Sequence, residues 1–240
     1  FFKQKTAYEI VCKNDKVYMI IGGKDLLNGK RFDKGGYILT YDYDKWSFID
    51  PKEAQKKLNL PRNPRDYTSI AVTTDDSNDE IVYASSMGDG VIQYKNGTPV
   101  QSYNEKNAFK ETAGGYGSGY CYIDGLAFDK NGNLWMTSSE VNHAVLVLDK
   151  AGAWHRLDIE QLRGVYTIND ILITSTNDKW IYVPRNTPKL VMIPNSESLD
   201  EVSSYEFTTL IDTDGKELTP SNYTCVAEDK DGYIWVGTNR

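Results

Sequence analysis

Short apolar runs alternate with polar turns along this chain, and one such run repeats. In 125–139, GLAFDKNGNLWMTSS, an apolar strand (Leu126 to Phe128) meets an Asp-x-Asn-Gly turn. A second strand (Leu134 to Thr137) then begins beside a tryptophan, and the whole predicts a hairpin whose glycine takes positive φ. The stretch 225–239, CVAEDKDGYIWVGTN, repeats it, with Ala127 over Ala227, Asp129 over Asp229, Gly132 over Gly232 and Trp135 over Trp235. A third copy, 170–184, keeps Trp180 but lacks the Asp and Gly of the turn, and a fourth, 69–86, matches through Ala71 and Tyr83 with a longer turn. The anchors Tyr83, Trp135, Trp180 and Trp235 are 52, 45 and 55 residues apart, the signature of an array of supersecondary units.

Each unit continues with a third strand (36–42, 90–95, 144–149, 189–194) and a fourth (46–49, 99–103, 153–157, 205–210). Four strands every fifty residues or so describe a β-propeller blade, with a cupped or solenoid array as the alternative. The expected fold is therefore all-β: a β-propeller fragment of four-stranded antiparallel blades, about four to four and a half of them, in a ring left incomplete. Blades are expected at about 11–50, 67–105, 122–157, 167–210 and, in part, 222–240. Ala71, Ala127 and Ala227 read as small residues on a crowded central axis. The aromatic of the second strand reads as filler between blade faces, where one buried ring is worth roughly 3 kcal/mol.

Two segments break the pattern. Residues 3–9, KQKTAYE, read as the translation of a common sequencing-library adapter, so 1–10 is expected to be a non-native segment, with 11–240 the propeller fragment. In 50–66, Asp50 caps a short helix with Pro51 at its first position and Glu53 three residues on, ending near Leu58. This insertion carries Lys52, Lys56, Lys57, Arg62 and Arg65, a candidate anion-facing patch.

Composition agrees with many short strands: 12% aromatic residues, including 17 Tyr and 5 Trp. The net charge of −7 disfavours nucleic acid as a partner, and no apolar run approaches the roughly 18 residues of a membrane span. Cys12, Cys121 and Cys225 are too scattered for a disulfide framework or a zinc site and are expected to be buried thiols.

Catalytic constellations are not evident in the sequence. The DKNGN and DKDGY turns mimic calcium loops, but counting back from Gly132 puts Ala127 at the first ligand position and Ser138 at the twelfth. The Gly232 copy likewise begins at Ala227. His143 and His155 have no Ser or Cys placed against them, GGYGSGY (114–120) has no phosphate-loop spacing, and the carboxylate pairs Asp75-Asp76 and Glu228-Asp229 lie at turns and strand ends. The chain is expected to be no enzyme, with no metal and no cofactor. Propellers bind through loops at one mouth of the ring, which here would gather Met87, Asp89, Tyr116, Tyr120, Asn142, His143, Arg185 and Asn186, a set suited to a glycan or a peptide.

The pattern carried by 126–138 and 226–238 resembles the two-component-regulator propeller repeat of Bacteroidetes-type bacteria. Within that group, DYTSIAV (66–72), YIDGLAFDKNGNLWMTSS (122–139) and LTPSNYTCVAEDKDGYIWVGTN (218–239) are most similar to PorZ-type proteins of the type IX secretion machinery. That resemblance implies a cell-surface or periplasmic address, secretion and sortase-complex proteins as partners, and handling of anionic lipopolysaccharide. The same repeat occurs in periplasmic sensor domains of hybrid two-component histidine kinases, which implies an oligosaccharide ligand instead. The family's C-terminal sorting domain does not fall within these 240 residues.

Overall fold

The first apolar segment, Glu9–Lys13 (β1), turns back into Lys16–Ile21 (β2) at Asn14 and Asp15, whose φ angles of 50° and 59° match the twist of a two-residue hairpin. The computed structural model describes residues 8–25, 29–117 and 119–239, and the chain folds as two units, Phe1–Leu126 and Ala127–Arg240. Of the segment expected to be non-native, residues 1–7 lie outside the described residues. Tyr8 donates its N–H to Ile20 O, and Ile10 pairs with Met19.

In the first unit, β1 and β2 continue through Tyr37–Asp42 (β3) into Lys45–Ile49 (β4) as one antiparallel sheet. The helix Pro51–Leu58 (α1) follows as expected. Asp50 accepts from Lys52 N at 2.9 Å, and Asn59 closes the helix in the left-handed conformation. Next come Tyr67–Thr74 (β5), Glu80–Gly88 (β6), Gly90–Lys95 (β7) and Thr98–Tyr103 (β8), paired in sequence. Cys121–Phe128 (β9) opens by pairing with the end of β6, Tyr122 opposite Met87. Tyr18, Ile20, Ile38, Ala54, Tyr67 and Tyr94 form the centre of this unit's core.

The second unit continues with Leu134–Ser138 (β10), Val145–Leu148 (β11) and Trp154–Leu157 (β12). A second antiparallel sheet runs Ile171–Ile173 (β13), Lys179–Val183 (β14), Lys189–Ile193 (β15) and Tyr205–Phe207 (β16). A small hairpin, Leu210–Ile211 (β17) with Glu217–Leu218 (β18), precedes the hairpin Asn222–Glu228 (β19) with Ile234–Asn239 (β20). Trp135, Val145, Val147, Ile168, Ile181 and Val191 are buried together at the core of this unit.

One five-residue turn recurs through both units. Asp129 Oδ1 accepts from the N–H groups of Asn131 and Asn133 at 2.9 and 2.8 Å, and Asp129 N–H returns to Asn133 O. Asp229 repeats this with Asp231 and Tyr233, and Asp75 and Asp212 do the same with their own following residues. The 170–184 copy, which lacks the Asp and Gly, keeps the turn nonetheless. Thr174 Oγ1 accepts from Asp178 N at 2.9 Å, and Asn177 at φ 70° stands where Gly132 has φ 85°. Nor is the turn of the 69–86 copy longer: it spans Asp75 to Asp79, and the additional residues extend β5 and β6.

The tryptophan of the repeat is tied to this turn. Trp135 Nε1–H donates to Asp129 Oδ2 at 2.9 Å, and Trp235 Nε1–H to Asp229 Oδ2 at 2.7 Å. Burial differs between them: Trp135 is 2% exposed, with the Lys179 ammonium 4.5 Å over its ring, whereas Trp235 is 65% exposed. Trp135 is thus packed as interior filler, while Trp235 is exposed in this structure. Ala71 and Ala227 lie directly across their hairpins from Tyr83 and Trp235, so their small size leaves room for the ring opposite. Of the cysteines expected to be buried, Cys121 is buried and Cys12 and Cys225 are exposed.

Burial raises the phenol pKa values of Tyr18, Tyr67, Tyr83 and Tyr94. The unfolded chain releases these protons near pH 10 while the folded chain holds them, so stability falls as pH rises above about 10. An alkaline titration that follows phenolate absorbance and circular dichroism together is expected to show these tyrosines ionising only as the fold melts. Full ionisation near pH 10 with the fold intact would contradict this.

Candidate functional site

The chain reverses sharply between β6 and β7, at Gly88-Asp89-Gly90, and a cleft opens beside it. Gly88 and Gly90 have φ 127° and 77°. A Cβ on Gly88 would come within 2.7 Å of the Tyr120 ring, and one on Gly90 within 2.1 Å of Tyr103 O, so only glycine allows these approaches. Asp89 is thereby held with its side chain 16% exposed.

Arg62, on the segment leaving α1, places Nε 2.8 Å and Nη2 2.7 Å from Asp89 Oδ1. Asp89 Oδ2 accepts from Arg65 N–H at 3.1 Å, while Ser86 Oγ donates to Arg65 O at 2.7 Å. The carboxylate thus fastens residues 62–65 to the start of β7 and forms one side of the cleft.

Tyr116 and Tyr120 also line it, their rings stacked with centroids 4.5 Å apart and planes 19° from parallel. Tyr120 is 8% exposed and Tyr116 45%, so the buried ring seats the outer one. Burial raises the Tyr120 phenol pKa, against the lowering effect of the Arg31 guanidinium beside it. Arg31 Nε also donates to Asp66 Oδ2 at 3.2 Å, and burial raises the pKa of that carboxyl.

Leu60, Pro61 and Gly119 also line this cleft of about 390 Å³, and Ser102, Asn104, Glu105 and Lys106 complete it. Their turn is rigid: Asn104 O accepts from Ala108 and Phe109, Asn104 Oδ1 from Lys106 N–H, and Asn107 Oδ1 from Asn104 N–H. Charges on the lining balance, with Arg62 and Lys106 against Asp89 and Glu105.

Asp89, Tyr116, Tyr120 and Arg62 therefore converge, although Arg62 had been assigned to the anion patch. Met87, expected on the loop face, is 4% exposed and packs inward with Ala113, Tyr120 and Tyr122. Lys52, Lys56 and Lys57 are exposed on α1, whereas Arg62 is committed to Asp89, and Arg65 lies 3.9 Å from Asp33. Asn142, His143, Arg185 and Asn186 lie on loops of the second unit, where Arg185 donates to Thr167 Oγ1 at 3.2 Å. Sequence reasoning missed Ser102, Asn104, Glu105 and Lys106. Their one local signal is the spacing of Asn104 and Asn107, which marks a turn but not a cleft. His155 Nε2 sits 2.9 Å from Asp149 Oδ2, and that contact is the largest cause of the lowered Asp149 pKa. Among the described residues no three His, Cys, Asp or Glu side chains gather as a metal site.

Residues 217–240 match the family described as two component regulator propeller. No curated protein matches the chain. Among solved structures, the chain is similar to PorZ of Porphyromonas gingivalis, an essential bacterial surface component of the type IX secretion system, with TM-score 0.82 and 20% identity over 98% of this chain and 31% of that one. It is also similar to the extracellular domain of the hybrid two component system BT4673 from B. thetaiotaomicron, with TM-score 0.58 and 13% identity over 95% of this chain and 25% of that one. Virginiamycin B lyase from Staphylococcus aureus gives TM-score 0.58 and 15% identity over 98% of this chain and 64% of that one. The chain thus spans about a third of the length of PorZ and about a quarter of that of the sensor domain. At these identities the likeness establishes the fold: an all-β propeller of antiparallel four-stranded blades, which carries a two-component regulator propeller repeat at residues 217–240.

Proposed function

We propose that this protein is a non-catalytic binding and scaffold module of a type IX secretion complex, acting outside the cytoplasm at the cell surface. The observation that carries this reading is the likeness to PorZ along 98% of the chain, at a TM-score well above that of the sensor domain. Exposed Lys52, Lys56 and Lys57 on α1 support contact with anionic lipopolysaccharide. The absence of turnover is supported by the cleft itself, where Asp89 is fixed in an ion pair rather than poised to move a proton.

A second reading, a periplasmic oligosaccharide-sensing domain of a hybrid two-component histidine kinase, draws support from the stacked Tyr116 and Tyr120. Cross-linking on intact cells of the source bacterium, followed by mass spectrometry of the captured proteins, separates the two. Sortase and outer-membrane secretion proteins are the expected partners. A protein protected from external protease and continuous with a kinase module would sink the scaffold reading in favour of the sensor.

A further inference from the structure

We infer that the cleft of the first unit is a saccharide subsite, in which an uncharged sugar ring lies on the outer face of Tyr116 and is hydrogen-bonded by the polar groups of the lining. This deepens the binding-module reading and rests on it.

The argument begins with the stack. A sugar ring presents a face of C–H groups edged by hydroxyls, and an aromatic ring held flat is the surface that covers the former while leaving the latter accessible. Tyr116 is such a surface: it is 45% exposed and seated on the buried ring of Tyr120 at 4.5 Å. Tyr120 in turn is packed so closely on Gly88 that a Cβ there would come within 2.7 Å. The platform is therefore preorganised, and ordering it on binding costs little.

Polar groups of both kinds edge the cleft. A hydroxyl donates one hydrogen bond and accepts two, so it is satisfied by neighbouring donors and acceptors. Asn104 offers an amide, Glu105 a carboxylate, and Arg62 and Lys106 donors. Hydrogen bonds from Asn104 N–H to Asn107 Oδ1 and from Lys106 N–H to Asn104 Oδ1 fix the turn that carries three of them.

Charge selects against an anion. Two cations and two carboxylates line the cleft, and Arg62 already directs two of its donors at Asp89 Oδ1. A phosphate placed there would meet Glu105 and Asp89 as well as Lys106. The volume, about 390 Å³, lies in the range of about 300–1,000 Å³ of small-molecule sites and fits a short segment of glycan. The uncharged ring can belong to a surface polysaccharide or to a free oligosaccharide; the chemistry that recognises it is the same.

The test applies the full chain to an array printed with uncharged, phosphorylated and sulfated oligosaccharides and with surface-polysaccharide repeats. Saturation-transfer NMR with the strongest uncharged probe then reads contact with the tyrosine rings. Uncharged sugars are expected to bind, with transfer from Tyr116, and Tyr116→Ala is expected to weaken binding about tenfold or more while Tyr116→Trp retains it. Strongest binding of polysaccharide repeats would assign the polymer as the source, and of short sugars a free ligand. Binding of charged sugars only, no sugar binding, or binding unchanged in Tyr116→Ala would overturn the site. If Tyr116→Ala melts early, transfer from the wild-type rings to the sugar decides the matter alone. Sugar binding without capture of secretion components would overturn the scaffold reading and leave the site standing; capture without sugar binding would do the reverse.

Discussion

Lys24→Met is expected to destabilise the first unit by about 3–5 kcal/mol, while Lys24→Met together with Asp124→Leu recovers most of that loss. Lys24 and Asp124 form an ion pair, and each side chain is 1% exposed. The ammonium also lies 5.0 Å from the centre of the Tyr122 ring. Around them the backbone is held by hydroxyls: Thr68 Oγ1 donates to Ile123 O at 2.5 Å, Ser85 Oγ to Asp124 O at 3.2 Å, and Ser69 Oγ accepts from Leu126 N–H at 3.0 Å. Water is thus replaced by fixed partners, and removing the cation alone leaves the buried carboxylate without its counter-charge. Removing both charges removes the desolvation cost along with the attraction, which is why the double variant is the milder one. Urea unfolding of the wild type and the two variants measures this. A single variant within about 1 kcal/mol of wild type would mean that solvent reaches the carboxylate, contrary to the packing described.

The second large effect is expected at Asp129. Asp129→Ala leaves four N–H donors without their acceptor: the backbone of Asn131 and Asn133, the Asn133 amide and the Trp135 indole. Asp129 is 7% exposed, so water replaces it poorly, and a loss of about 3 kcal/mol follows. Trp135→Ala is expected to cost about 3–5 kcal/mol, since it removes a fully packed ring and the surface on which Lys179 rests. Burial lowers the Lys179 pKa, so the ring stabilises an ammonium that is otherwise poorly solvated. The corresponding Trp235→Ala is expected to cost about 1 kcal/mol or less, because that ring is 65% exposed although its hydrogen bond to Asp229 is the same. Calorimetry of the three variants separates burial from hydrogen bonding. Equal losses for the two tryptophans would mean that the turn, and not the packing, sets the value of the residue.

These two cases mark what was legible in the sequence. The strands, the hairpin turns and the capped helix rest on interactions within a few residues, so Asp50, Pro51 and the Asp-x-Asn-Gly pattern announce them directly. Even the hydrogen bond between Asp129 and Trp135 leaves a trace, because the spacing of six recurs at Asp229 and Trp235. Burial leaves none: two tryptophans in the same local pattern are 2% and 65% exposed, since what covers them comes from elsewhere in the fold. Lys24 and Asp124 are 100 residues apart and lie in stretches without a shared motif. The cleft shows the same division. Tyr116 and Tyr120 stood out as an aromatic pair in a glycine-rich loop, whereas Arg62 looked like part of a basic patch until its partner, 27 residues on, appeared beside it. Pairing Arg62 with Asp89 also changes the chemistry of the site, from an anion trap to a neutral surface.

On the proposed reading, that change divides two tasks between two surfaces of the first unit. The α1 lysines face solvent and suit a charged surface; the cleft, with its charges balanced, suits an uncharged ring. Binding without turnover is the claim that joins them. Native mass spectrometry of the full chain with its strongest uncharged saccharide, sampled over hours, tests it most directly. The account predicts a one-to-one complex that releases the saccharide at its original mass, and loss of that complex in Tyr116→Ala. A shortened or eliminated product that accumulates with time would contradict it and make the protein an enzyme.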